Sequence, residues 1–232
     1  MSEYYRPLQE ALSQEPQNLR DIVQAMDQGD GKIDSCFLDT LLGIPRFISY
    51  YGQEYISNHQ YPDRYGLTYR DYIYQGIPYR LAQLILHEVN PTKDDIVYDI
   101  GSGYGRFTLY GALTTDATFK GIEFVEHRFE AATGIKEHFE IENATFIHGD
   151  AARTEMDDGT IFFMFNPFWP DAQKSQFAVE NNLRKIAETK PITVVTCGMK
   201  EVSAFPRMWE ERFEKVSNPY PDPFNVEIFR ST

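Results

Sequence analysis

Cysteine is nearly missing from this chain of 232 residues, which has only Cys36 and Cys197. Neither belongs to a C-x-x-C pair or stands at ligand spacing from a histidine, so a disulfide-stapled scaffold and the usual zinc sites are excluded, and no metal is expected. Both are read as free thiols. Long apolar runs are also lacking. No stretch approaches the ~20 residues that a membrane helix needs, and no membrane association is expected. The start, Met1-Ser2-Glu3-Tyr4-Tyr5-Arg6, lacks the apolar core of a secretory signal. A soluble protein of a reducing compartment, the cytoplasm, is the expectation. Positive charge is in deficit, with 22 Lys and Arg against 35 Asp and Glu and a net charge of −13. Such a surface repels a phosphate backbone at long range, which disfavours nucleic acid as a partner. Arg64, Arg70 and Arg80 alternate with tyrosines, yet Asp63 and Asp71 dilute that patch. The acidic run over residues 27–34 lacks a calcium ligand set: with Gly31 as the loop glycine, Met26 falls at the first ligand position and Phe37 at that of the bidentate glutamate. It reads as a polar turn. Internal repeats, low-complexity tracts and flexible linkers are absent from the sequence as well.

What is present centres on residues 96–107, where Ile96, Val97, Tyr98 and Ile100 give way to Gly101, Gly103 and Gly105 and then to the apolar positions Phe107, Leu109, Tyr110 and Leu113. The pattern predicts a buried parallel strand, a tight glycine turn and a helix packed back on the sheet. Glycines there admit positive φ and remove the Cβ atoms that would keep a ligand off the main-chain amides. The third glycine comes one residue too early for the dinucleotide pattern G-x-G-x-x-G, whose last slot holds Arg106.

Asp99-x-Gly101-x-Gly103-x-Gly105 resembles motif I of the class I S-adenosylmethionine-dependent methyltransferases, whose cofactor carries a cationic amino-acid moiety and no pyrophosphate. Later strand ends follow in the family's order. A second strand over 117–123 ends in Glu123, about twenty residues beyond the glycines, where a carboxylate accepts both ribose hydroxyls. A third over 144–148 runs into Gly149-Asp150-Ala151, which resembles the adenine-side motif, with Asp150 accepting from the adenine amino group and neighbouring amides edging the ring. A fourth over 160–165 runs into Asn166-Pro167-Phe168-Trp169-Pro170, where the family places acceptor-side residues. The resemblance implies an α/β fold: a Rossmann-like, mostly parallel seven-stranded sheet with an antiparallel last strand and helices on both faces. It implies S-adenosyl-L-methionine as cofactor, held by Asp99, Gly101, Ser102, Gly103, Gly105, Glu123, Asp150, Ala151 and Asn166.

Along the chain, residues 1–26 carry Leu8, Leu12, Leu19, Ile22, Val23 and Met26 at helical spacing interrupted at Pro16, and 35–42 read as a short helix closed by Gly43. Residues 61–79 are dense in tyrosine and turn formers. They read as an ordered loop over a site, with Tyr69, Tyr72, Tyr74 and Trp169 as substrate-pocket candidates, or else as a staple of the N-terminal helices to the core. Two parts are therefore expected: a helical and tyrosine-rich extension over 1–74, and a cofactor-binding domain over 75–232. In the second part, helices are predicted over 79–89, 126–138 and 171–188, and a fifth strand over 191–196. The tail offers strands at 213–216 and 224–229 with a hairpin turn through 218–223.

Asn166-Pro167-Phe168 resembles the N-P-P-Y turn of amino-group methyltransferases with one proline fewer. The resemblance makes these three the catalytic candidates, Asn166 and a prolyl carbonyl accepting from an attacking nitrogen while the aromatic packs on the acceptor. The other role open to Asn166 is to cap the following turn, with Phe168 and Trp169 forming an adenine wall. The function implied is methyl transfer, directed to a nitrogen of a protein or small-molecule acceptor. A binding module that keeps the pocket without turnover is the alternative; a nicotinamide-dependent enzyme is opposed by the Gly105 spacing and the tail.

Overall fold

The computed structural model describes residues 18–28, 35–44, 53–54, 74–168, 173–198, 213–220 and 225–232. Its centre is a seven-stranded sheet of order β5-β4-β3-β6-β7-β9-β8, built from β3 (Ile96–Ile100), β4 (Thr118–Glu123), β5 (Ala144–His148), β6 (Ile161–Phe165), β7 (Thr193–Cys197), β8 (Phe213–Tyr220) and β9 (Val226–Ser231). β3 through β7 pair in parallel, and β9 runs antiparallel between β7 and β8. The helices in chain order are α1 (Asn18–Gln28), α2 (Ser35–Leu42), α3 (Tyr79–Val89), α4 (Arg106–Thr114), α5 (Glu126–His138) and α6 (Gln173–Ala187). A separate ribbon pairs β1 (Gln53–Glu54) with β2 (Tyr74–Gln75), antiparallel.

The strands read as continuous apolar runs because both sheet faces are covered. Along β6, Ile161 and Phe163 join the apolar layer beneath α1 to α5, while Phe162 and Met164 join the layer under α6 with its Val179, Leu183 and Ile186. Phe107 of α4 stacks on Phe163 at 3.8 Å between ring centroids, which ties the helix after the glycine turn to the central strand. The helices expected in the N-terminal extension pack into that same layer, through Leu19, Val23, Leu38 and Leu41. Arg20 donates to the Ala112 carbonyl at 2.8 Å and to the Asn143 side chain at 3.2 Å. Asp27 accepts from the Tyr110 hydroxyl, and its carbonyl accepts from Gln83 at 2.6 Å.

Several boundaries differ from the sequence expectation: β4 and β6 start one residue later, at Thr118 and Ile161, and β9 spans Val226–Ser231 where 224–229 was expected. α6 is described from Gln173 to Ala187, with residue 171 outside the described part and Glu188 already in a turn. β7 runs from Thr193 to Cys197 and not from Pro191 to Thr196; at Ile192 the N–H goes to the Ser231 hydroxyl at 2.8 Å, while its carbonyl still accepts the Ser231 amide at 3.0 Å. β8 continues to Tyr220, where a turn was expected from Asn218, with register shifts between Lys215 and Ser217 and again before Tyr220. Lying at the sheet edge, β8 tolerates the bulges and Pro219 that a central strand would not. The expected helical segment before Pro16 and the loop over residues 55–73 lie outside the described residues. Among the described residues no helix is long and apolar enough to cross a membrane.

Candidate functional site

The glycine turn follows β3 at the carboxyl edge of the sheet, where open α/β folds place ligands. Gly101 and Gly103 have φ of 81° and 57°, left-handed values that a β-carbon would strain. Neither has room for one: at Gly101 it would lie 2.8 Å from the Pro167 side chain, and at Gly103 it would enter the Tyr74 ring. The Gly101 and Ser102 amides both donate to the Ile122 carbonyl, at 2.9 and 3.0 Å, so the turn is sewn to the end of β4. Gly105 then caps α4, its carbonyl accepting from Leu109 at 2.7 Å.

Two buried carboxylates flank this turn. Glu123, 5% exposed, accepts from the Gly103 amide at 2.6 Å and from the Val125 amide at 2.8 Å. Asp99, 3% exposed, accepts from the Thr108 hydroxyl at 2.8 Å. Burial pushes the Asp99 carboxyl up to about 7 against the pull of the Thr108 hydrogen bond, and the nearby Glu123 charge adds to the rise. Within the turn the Ser102 hydroxyl is buried and has no partner among the described residues. A buried hydroxyl without a partner is costly and asks for an ordered water or a bound polar group.

The neighbouring strand ends complete the edge. Asp150 lies beyond β5, where its carboxylate accepts from the Ala152 amide at 2.9 Å and faces the exposed Arg153 at 3.7 Å; Ala151 is half-buried beside it. Gly149 donates to the Glu123 carbonyl at 3.0 Å, which holds the β5 exit next to Glu123. Asn166, beyond β6, has a φ of 47°, donates its backbone amide to the Cys197 carbonyl at 3.0 Å and gives its side-chain N–H to Gln75 at 3.3 Å. Its side-chain partner among the described residues is thus the end of the tyrosine-rich stretch. Pro167 packs on Gly101, whereas Phe168 is buried in the apolar layer under α6 with Tyr98, Ile100 and Met164.

The geometry therefore brings Asp99, Gly101, Ser102, Gly103, Glu123, Asn166, Pro167 and Tyr74 together, with Gly105 and Asp150 at the margins. It sends Phe168 into the core. Tyr69, Tyr72 and Trp169 lie outside the described residues. Four residues at this edge escaped the sequence reading. Thr108 carried a usable signal, because the first turn of α4 faces the end of β3. Gln75 and Arg128, the latter 4% exposed with its guanidinium 5.5 Å from the Tyr74 ring centroid, carried none. Asp39 is the fourth. Arg106 donates to both of its oxygens, one bond being 2.9 Å, Tyr79 donates to it at 3.1 Å, and Arg106 also donates to the Ile77 carbonyl at 3.3 Å. The residue in the slot reserved for a dinucleotide-type glycine thus ties the turn to α2.

No protein-family model matches the chain, and no curated protein matches it in sequence. Among solved structures, an RNA methyltransferase from Salinibacter ruber in complex with S-adenosyl-L-homocysteine is 19% identical, aligns over 68% of this chain and 92% of that one, and gives a TM-score of 0.51. A SAM-dependent methyltransferase from Aquifex aeolicus is 14% identical over 67% of this chain and 94% of its own, with a TM-score of 0.52. A Streptococcus mutans protein in complex with SAH is 14% identical over 68% of this chain and all of its own, with a TM-score of 0.51. At these identities the likeness is one of fold: the chain has the class I methyltransferase fold, with the strand order and antiparallel β9 described above.

Proposed function

We propose that this protein is an S-adenosylmethionine-dependent methyltransferase acting on a nitrogen of a protein or small-molecule acceptor. The observation that carries it is the pairing of Asp99 and Glu123, two buried carboxylates on adjacent strand ends, at a glycine turn whose Ser102 hydroxyl has no partner among the described residues. The residues fit such a cofactor: Glu123 takes the ribose hydroxyls, Asp150 the adenine amino group, and Asp99 the ammonium, which favours the ionised carboxylate that burial alone opposes. The bound sulfonium would supply an activated methyl group. The chain's part is alignment: the rigid turn fixes the donor while Asn166 presents its carbonyl oxygen, which accepts nothing among the described residues, to an incoming N–H. In this reading residues 75–232 hold the cofactor and residues 1–74 form the cap.

Structural neighbours solved with S-adenosylhomocysteine support the cofactor. One of them acts on RNA, but a net charge of −13 speaks for a protein or small-molecule acceptor here. A buried, free Cys197 in a cysteine-poor chain suits the cytoplasm. The second reading is a binding module without turnover, which the burial of Phe168 away from the edge favours. Calorimetry with S-adenosylmethionine and with nicotinamide dinucleotides tests the cofactor; heat with the latter alone refutes the proposal. Asn166→Ala separates the two readings. In an enzyme it does not weaken S-adenosylmethionine binding and cuts methyl transfer about a hundredfold, the loss expected of an orienting hydrogen bond.

A further inference from the structure

The space above Gly103 is already filled. The Tyr74 ring lies where a β-carbon at Gly103 would be, and it is 6% exposed. Tyr104 meets it edge-on at 5.0 Å between centroids, and the Arg128 guanidinium lies 5.5 Å from its centre. The Gly103 amide, which a ligand resting on the turn would approach, is directed to Glu123. Glycine at 103 is therefore required by the ring as much as by any ligand.

Among the described residues, three anchors hold the segment carrying the ring, besides the ring's own contacts. Tyr74 and Gln75 pair with Glu54 and Gln53 in the two-residue ribbon. Gln75 accepts from Asn166 at 3.3 Å, and the Ile77 carbonyl accepts from Arg106 at 3.3 Å. Gly76 lies between the last two, so close to Arg106 and the Tyr74 hydroxyl that a side chain has no room. Of these three the Arg106 end is the strong one, since Asp39 clamps that guanidinium from behind. A two-residue ribbon and one neutral amide bond of that length are weak.

Resting on the methyltransferase reading, we propose that residues 74–77 form a strap hinged at Gly76 and latched by Arg106, and that the Tyr74 ring is a gate that must leave Gly103 before a nucleoside cofactor can enter. The ring and the cofactor compete for one space, so the closed fraction of molecules lowers the apparent affinity and slows entry.

The test uses the full chain and S-adenosylhomocysteine, followed by stopped-flow association and by calorimetry. With the open form about a tenth of the population, Tyr74→Ala raises the association rate about tenfold and lowers the dissociation constant by a similar factor. Tyr74→Phe keeps the ring and the slow entry. Gln75→Leu, which loosens the strap without touching the ring, also speeds entry, and it decides alone if Tyr74→Ala shows no cooperative melting. An unchanged rate at unchanged affinity, or weaker binding by Tyr74→Ala, overturns the gate and leaves the cofactor reading standing. No heat with wild type or either variant overturns both.

Discussion

Glu123 holds the Gly103 and Val125 amides at 2.6 and 2.8 Å, and each of its oxygens keeps a lone pair for a further donor. Glu123→Ala therefore does two things: it removes the ribose acceptor and frees two buried amides. Binding of S-adenosylmethionine should weaken by about 2 kcal/mol or more, as for other charge-assisted bonds, and calorimetry against Glu123→Gln, which still accepts, separates ligand loss from turn damage. Asp99 makes a pH prediction. Its folded value of about 7 lies above the ordinary carboxylate range, so between about pH 4 and 7 the folded chain holds a proton that the unfolded chain has released. That contribution to stability is full below pH 4 and is lost as pH rises through 7. Ligand binding follows the opposite sign, because an ammonium needs the ionised carboxylate. Affinity for S-adenosylmethionine should rise from pH 6 to 8 in wild type and stay flat in Asp99→Asn, with calorimetry at each pH as the check.

At the scale of elements, the coupling of α2, the 74–77 strap and α4 passes through one ion pair. The Asp39 side chain is 5% exposed and the Arg106 side chain 17%, so removing either leaves the other buried without the opposite charge that faces it here. Asp39→Ala should cost about 3–5 kcal/mol in urea unfolding, the range for a broken buried pair, while Asp39→Asn, which keeps one acceptor, should cost less. If α2 were only a solvated appendage, both variants would unfold like wild type. The same pair explains why a helix so far from the turn in sequence bears on it: Arg106 is the first residue of α4, and its guanidinium also carries the Ile77 carbonyl.

At the scale of the whole molecule, the acidic balance makes a prediction about the proposed acceptor. Methyl label from S-adenosylmethionine added to a cell lysate should appear in material that proteinase degrades or in the small-molecule filtrate, and ribonuclease should release none of it. Label in RNA would assign this chain an acceptor of the kind its Salinibacter ruber neighbour uses.

The central architecture was legible in the sequence because its signals are local. Apolar strands such as 96–100 and 161–165, the helix 79–89 between Pro78 and Asn90, and the glycine spacing with Asp99 two residues ahead each arise within a dozen residues of backbone geometry. The order of the strands in the sheet came instead from the resemblance of those motifs to the class I methyltransferases. Edge β8 was read too short because bulges at a sheet edge depend on what the neighbouring strand permits. The surroundings of the turn were decided only by the tertiary structure. Tyr74 reaches Gly103 across 29 positions, Arg106 reaches Asp39 across 67, and Asn166 reaches Gln75 across 91. No periodicity encodes such pairings. They follow from which helices and strand ends the packed layers bring within hydrogen-bond reach, and the same packing turned Phe168 from the catalytic edge, where the motif placed it, into the core.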